Sequence, residues 1–203
     1  MPPDADAPHP ALIVLTGSGG GAAEPRAALC ASRGYAAFAL AYFNYPGRPD
    51  DLAEIPLEYF KQGAEWLAKQ PTVAADRIGV TGGSRGGELC LLLGATYPDV
   101  FNAVVSFVPS GYVWGANKRD AGAVKEPAWT LNGAPVPFVP SKWDYEVKTD
   151  FQQKIDSGEP IPLTPGFHEA VNAVEDLEPY TIPVERIGGA VLLISGADDQ
   201  MWP

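Results

Sequence analysis

The segment from Ile78 to Glu88 places four glycines, Gly82, Gly83, Gly86 and Gly87, around one serine, between a short apolar run and a stretch with helical patterning. Within it, Gly82-Gly83-Ser84-Arg85-Gly86 has the G-x-S-x-G spacing of a strained strand-to-helix turn that lifts a nucleophile above a sheet. A Cβ at Gly82 or Gly86 would strike neighbouring main chain in so tight a turn. The motif therefore demands a strand before it and a helix after it, and with them a sheet crossed by helices.

The rest of the chain supplies that pattern. Ala11 to Leu15 is an apolar, branched run of the kind buried on both faces of a parallel sheet, and it ends at Thr16 and a glycine cluster. Ala23 to Arg33 reads as an alanine-rich helix closed by Gly34, and the apolar Tyr35 to Ala41 follows as a strand. Leu57, Phe60, Ala64 and Leu67 recur at helical spacing behind Pro56, and Ile78 to Thr81 is the strand that enters the serine turn. Leu89 to Leu93 then predicts a helix, Ala103 to Val108 a strand and Ala190 to Ser195 a last strand. Strands alternating with helices predict a mostly parallel sheet with helices on both faces. From Pro109 to Pro183 the pattern fails. That stretch carries ten of the twenty-one prolines together with Trp114, Trp129 and Trp143, and reads as a long irregular insertion over the sheet.

A chain of 203 residues with 46% hydrophobic and 19% charged residues suits one globular domain, 1–203, with the insertion at about 109–183. Its net charge of −11 opposes phosphate backbones and anionic lipid, so nucleic acid is excluded as a partner. No stretch approaches the ~18 apolar residues of a membrane span. The N-terminal residues lack the basic and apolar regions of a signal peptide, and Cys30 and Cys90 fall in apolar, helix-like stretches as buried free thiols would; a cytoplasmic protein is expected.

Ser84 is the candidate nucleophile, placed where the dipole of the following helix stabilises developing negative charge. An acyl-transfer site also needs two backbone donors for an oxyanion. One is the Arg85 N–H, and the other is Ser18 or Gly19 in the loop Thr16 to Gly21. That loop is no phosphate cradle, because it lacks the P-loop lysine and has Ala22 where the third glycine of G-x-G-x-x-G belongs. The acid of such a triad follows a late strand, where Asp198 and Asp199 both stand. The base is harder to place. His9 precedes the first strand, about 20 Å along it from the carboxyl-end site, and His168 lies in the insertion ahead of the acid, out of the usual chain order.

Several segments together resemble a known family, the C-terminal catalytic domain shared by type I acyl-CoA thioesterases and bile acid-CoA:amino acid N-acyltransferases. They are Thr16 to Gly21, Gly34 to Tyr45, Ile55 to Phe60, Gly82 to Cys90, Ile182 to Ile187 and Ser195 to Pro203, nearly the whole chain. The resemblance implies an α/β-hydrolase fold with Ser84 as nucleophile and, as acid, the aspartate three residues after Gly196, which is Asp199, with Asp198 the alternative. Members that conjugate acyl groups to amino acids tend to carry cysteine at the nucleophile, so Ser84 implies water as acceptor.

The expected activity is cleavage of acyl thioesters, acyl-CoA first among them, through an acyl-serine intermediate that needs no cofactor and no metal. A carboxylesterase or dienelactone-hydrolase-like esterase is the alternative enzyme, and a non-catalytic truncated relict the alternative outside catalysis. Capture of polyanionic CoA by an acidic chain would call on a basic patch from Arg26, Arg48, Lys118 or Arg119. The family's C-terminal strand, helix and histidine are expected beyond residue 203, which leaves residues 1–203 with residual activity alone. Chain order leaves the oligomeric state open.

Overall fold

A computed structural model of the chain describes residues 8–118, 125–140, 153–154, 156–158 and 163–199. Five parallel strands form the main sheet: β1 (His9–Val14), β2 (Ala36–Ala39), β4 (Val73–Gly83), β5 (Ala103–Phe107) and β8 (Ala190–Ile194), in the order β2-β1-β4-β5-β8. The connections run one way from β1 to β2 and the other way from β2 through β4 to β8. Right-handed crossovers then set α1 (Glu24–Ala31) on one face, and α2 (Leu57–Ala68) and α3 (Arg85–Thr96) on the other. β1 and β4 are neighbours whose crossovers leave on opposite faces, and the carboxyl end of such a switch point is the usual place of a ligand crevice in an open parallel sheet.

α2 buries Leu57, Phe60, Ala64 and Leu67, the four residues whose helical spacing marks it in the sequence. α3 is apolar nearly all round and is buried from Arg85 to Ala95, as a helix sandwiched between the sheet and a covering layer must be. That layer comes from the insertion. Tyr42, Phe60 and Trp129 meet edge-on or tilted, with Tyr42 and Phe60 centroids 5.2 Å apart and Phe60 and Trp129 6.2 Å apart, which welds the insertion to the principal core.

The segment 109–183 is mostly loop but carries regular pieces. β6 (Trp129–Leu131) and β7 (Ala134–Pro135) form a hairpin, and β6 pairs in parallel with β3 (Ile55–Pro56) in a second, three-stranded sheet. The hairpin turns on Asn132 (φ 52°) and Gly133 (φ 75°), both in the left-handed region that a two-residue turn of this kind requires. α4 (Thr164–Asn172) packs Phe167 and Ala170 against Trp114 and Val139 in a satellite cluster, with Trp114 and Phe167 edge to face at 4.6 Å.

Several boundaries and burials differ from the sequence pattern. β4 begins at Val73 because its first residue pairs with His9 across a register shift, although Ala74 to Arg77 carry no apolar signal. α3 begins at Arg85, four residues before the apolar run. Cys30 is half-buried where a buried thiol was expected, while Cys90 is buried; both are free. β8 pairs with β5 but exposes all five of its residues, with Val191, Leu192, Leu193 and Ile194 between 42% and 56% exposed. No helix among the described residues is long and apolar enough to cross a membrane.

Candidate functional site

Ser84 joins β4 to α3 at φ 56° and ψ −125°, a strained conformation for a residue with a Cβ. Its main chain is fully used. The N–H donates to the Phe107 carbonyl at 2.9 Å, and the carbonyl accepts from Gly87 N–H at 2.8 Å and Glu88 N–H at 3.0 Å. The side chain is half-buried at the carboxyl edge of the sheet. The flanking glycines follow from space: a Cβ on Gly82 would sit 2.5 Å from the Gly86 carbonyl oxygen, and one on Gly86 would sit 2.1 Å from that of Thr16. Gly83 is different, since a Cβ there would make only ordinary contacts at 3.7 Å.

The loop after β1 lies against this turn. A Cβ on Gly17 would stand 3.4 Å from Ser84 Cβ and 3.9 Å from the Arg85 nitrogen, so Gly17 is the loop residue in closest register with the serine. Its neighbours Ser18 and Gly19 are exposed. Gly20 N–H donates to the Gly17 carbonyl and Gly21 N–H to that of Phe43, while the N–H groups of Thr16, Gly17, Ser18 and Gly19 make no main-chain hydrogen bond among the described residues. Two side chains brace the loop from below: Tyr42 Oη donates to the Thr16 carbonyl at 2.7 Å, and Asn44 Nδ2 to that of Gly19 at 2.8 Å. Burial pushes the Tyr42 phenol well above its ordinary range, against the Thr16 hydrogen bond and the nearby Arg85 charge. Removing that hydroxyl in Tyr42→Phe orphans the Thr16 carbonyl, and a drop of about 1–3 kcal/mol in stability is expected from urea unfolding.

Asp198 and Asp199 follow β8 in a turn, Asp198 exposed and Asp199 half-buried. The register Gly83↔Phe107↔Ile194 ends β8 at the same sheet edge as β4, two strand spacings of about 4.8 Å each across from Gly83, and Asp198 and Asp199 follow beyond it. His9 opens β1 beside Val73, at the opposite edge. His168 lies exposed on α4, about 100° round the helix from its buried neighbour Phe167.

Three residues of the candidate basic patch each engage a local partner. Lys118 is ion-paired with Glu126, Arg48 stacks on Tyr59 at 4.9 Å, and Arg26 lies over Phe107 at 5.3 Å, beside Gly83. Arg119 lies outside the described residues. Among the described residues no group of three His, Cys, Asp or Glu could hold a metal ion.

Beneath the serine lies a buried ionic network. Arg85 Nη1 donates to Glu88 Oε2 at 2.7 Å, and Nη2 donates to the carbonyls of Trp114 and Gly115, both at 2.9 Å. Glu88 Oε1 accepts from the Trp114 N–H and from Trp129 Nε1, both at 3.2 Å. Burial pushes the Glu88 carboxyl above its usual range, while Arg85 and the tryptophan donors pull it back. Every contact on both oxygens comes from a donor, so the carboxylate form fits the site. Sequence reasoning used Arg85 for its N–H alone and missed Glu88. The available signal was an Arg and a Glu three apart on one face of an otherwise apolar helix.

The description "BAAT / Acyl-CoA thioester hydrolase C terminal" belongs to the family model that matches residues 55–203. Human acyl-coenzyme A thioesterase 1 is 30% identical over 202 residues, covering 100% of this chain and 43% of that protein. Mouse bile acid-CoA:amino acid N-acyltransferase is 28% identical over 198 residues, covering 98% of this chain and 42% of that one. The chain therefore spans less than half the length of these curated relatives. Among solved structures, DcsB in complex with its substrate analogue gives a TM-score of 0.53 at 17% identity, over 98% of this chain and 75% of that one. The 2,6-dihydroxy-pseudo-oxynicotine hydrolase gives 0.52 at 19%, over 98% and 49%. At such identities the likeness establishes the fold alone, an α/β-hydrolase with a mostly parallel central sheet.

Proposed function

Because the chain belongs to the BAAT / acyl-CoA thioester hydrolase C-terminal family, we propose that it hydrolyses acyl thioesters, acyl-CoA first among them, with Ser84 as nucleophile. The observation that carries this reading is that a Cβ on Gly17 would stand 3.4 Å from Ser84 Cβ and 3.9 Å from the Arg85 nitrogen, which supports an oxyanion site shared by the β1 loop and the serine turn. Ser84 Oγ attacks the thioester carbonyl as a base removes its proton. The oxyanion is held by the Arg85 N–H and that of Ser18 or Gly19. The C–S bond then breaks, the thiol leaves with the proton, and water attacks the acyl-serine to release the acid.

Asp199 is the proposed acid, with Asp198 beside it, and it orients the base. Neither histidine of residues 1–203 is assigned as the base, since His9 sits at the far edge of the sheet and His168 lies exposed on α4. In the product of the whole reading frame, His168→Ala is expected to leave acyl-CoA turnover within about twofold. Loss of turnover in that variant would hand the role of base to the insertion.

The discriminating experiment measures free thiol released from acyl-CoA against p-nitrophenol released from acyl esters of matched chain length. A higher kcat/KM for the thioester supports the reading. A higher value for the oxygen ester, or no thiol release, refutes it.

A further inference from the structure

Residue 85 faces two ways. Its main-chain nitrogen stands beside Gly17, while its side chain, 6% exposed, runs down into the network with Glu88, Trp114 and Gly115. Glu88 lies one helical turn on and is wholly buried. We propose that the Arg85–Glu88 pair is a positioning device for the hydrolytic site, locking the strained Ser84 turn and the oxyanion donor of residue 85 to the Trp114–Gly115 segment of the insertion. The proposal rests on the reading of Ser84 as nucleophile.

Three observations support it. A residue held at φ 56° and ψ −125° persists only where its surroundings over-determine it, and the next residue is pinned by three side-chain hydrogen bonds. A guanidinium fork can hold two adjacent carbonyls and a carboxylate at once, which an ammonium reaches only in part. A buried ion pair is also a poor source of net stability against apolar packing, so its place inside an otherwise apolar helix calls for a specific geometric role. Glu88 completes the geometry from the other side: one oxygen holds Arg85, and the other takes Trp114 N–H and the Trp129 indole, so elbow, insertion and core aromatics share one set of bonds.

The test uses Arg85→Met, Arg85→Lys and Glu88→Gln in the product of the whole reading frame, at a temperature where each is fully folded by circular dichroism. Glutamine must present an NH2 group either to Arg85 or to the tryptophan donors, so it breaks one side of the network at nearly constant volume. Arg85→Met and Glu88→Gln are expected to lower kcat for acyl-CoA by 10–100-fold with KM within threefold, and to slow fluorophosphonate labelling of Ser84 by the same factor. Arg85→Lys is expected to recover only part of that loss, because one ammonium cannot reach all three acceptors. In the nitrogen-15 spectrum the Trp129 indole signal should shift in Glu88→Gln, a readout independent of any activity. Parental kcat in folded Arg85→Met, a loss confined to KM, or a loss that follows only the folded fraction would overturn the proposal. Fluorophosphonate labelling that persists in Ser84→Ala would instead overturn the nucleophile assignment and leave the indole result standing.

Discussion

Ser84→Ala in the product of the whole reading frame is expected to abolish fluorophosphonate labelling and to lower acyl-CoA hydrolysis by at least ~10³-fold, with stability unchanged or slightly improved. The size follows from the role, because without the nucleophile no acyl-enzyme forms and only oxyanion stabilisation and substrate binding remain. The stability sign follows from the backbone. Ser84 donates and accepts through its main chain, so alanine keeps all three of those hydrogen bonds and the strained φ of 56° alike. Retention of turnover with normal folding would remove Ser84 from the mechanism.

Gly86→Ala is expected to be nearly as severe by a different route. The added methyl would lie 2.1 Å from the Thr16 carbonyl oxygen and 2.9 Å from its carbon, both main-chain atoms that cannot rotate aside. Either α3 withdraws from the β1 loop or the loop lifts, and both movements separate Gly17 from Ser84 and Arg85. A displacement of about 1 Å in such a site costs on the order of 10²-fold in rate, with overpacking costing a further 1–3 kcal/mol of stability. Gly83→Ala is the matched control, since its methyl meets nothing closer than 3.7 Å. Comparable turnover for the two variants would mean that the close approach of loop and elbow is unimportant.

The strands that build the sheet were legible because each contains a short apolar run, and Ala11–Leu15 lies within two residues of the observed β1. The serine turn was legible for a stronger reason, since the collisions at Gly82 and Gly86 leave no other residue type there. The first turn of α3 was hidden because Gly86 and Gly87 are poor helix formers, and tertiary contact with Thr16 and Phe107 overrides propensity. The β6–β7 hairpin carried the Asn132-Gly133 turn signal, yet strands of three and two residues give no period to notice. In the site, the contact of Gly17 with the serine turn was not legible, because loop phase cannot be read from composition. Glu88 was passed over because a charge in an apolar helix shows its partners only when the insertion is folded over it.

β8 has a consequence for how the site holds together in time. The candidate acids hang from a strand that stands at the end of the main sheet, with its side chains exposed on both faces, so main-chain bonds to β5 carry nearly all of its attachment. Local opening free energy rises with buried apolar area, and the exposed Val191, Leu192, Leu193 and Ile194 are the apolar area this strand has to offer a covering partner. Whatever packs over Val191 to Ile194 therefore also steadies the loop that carries the proposed acid. Anything that binds along that edge would raise the competent population by mass action, without touching Ser84.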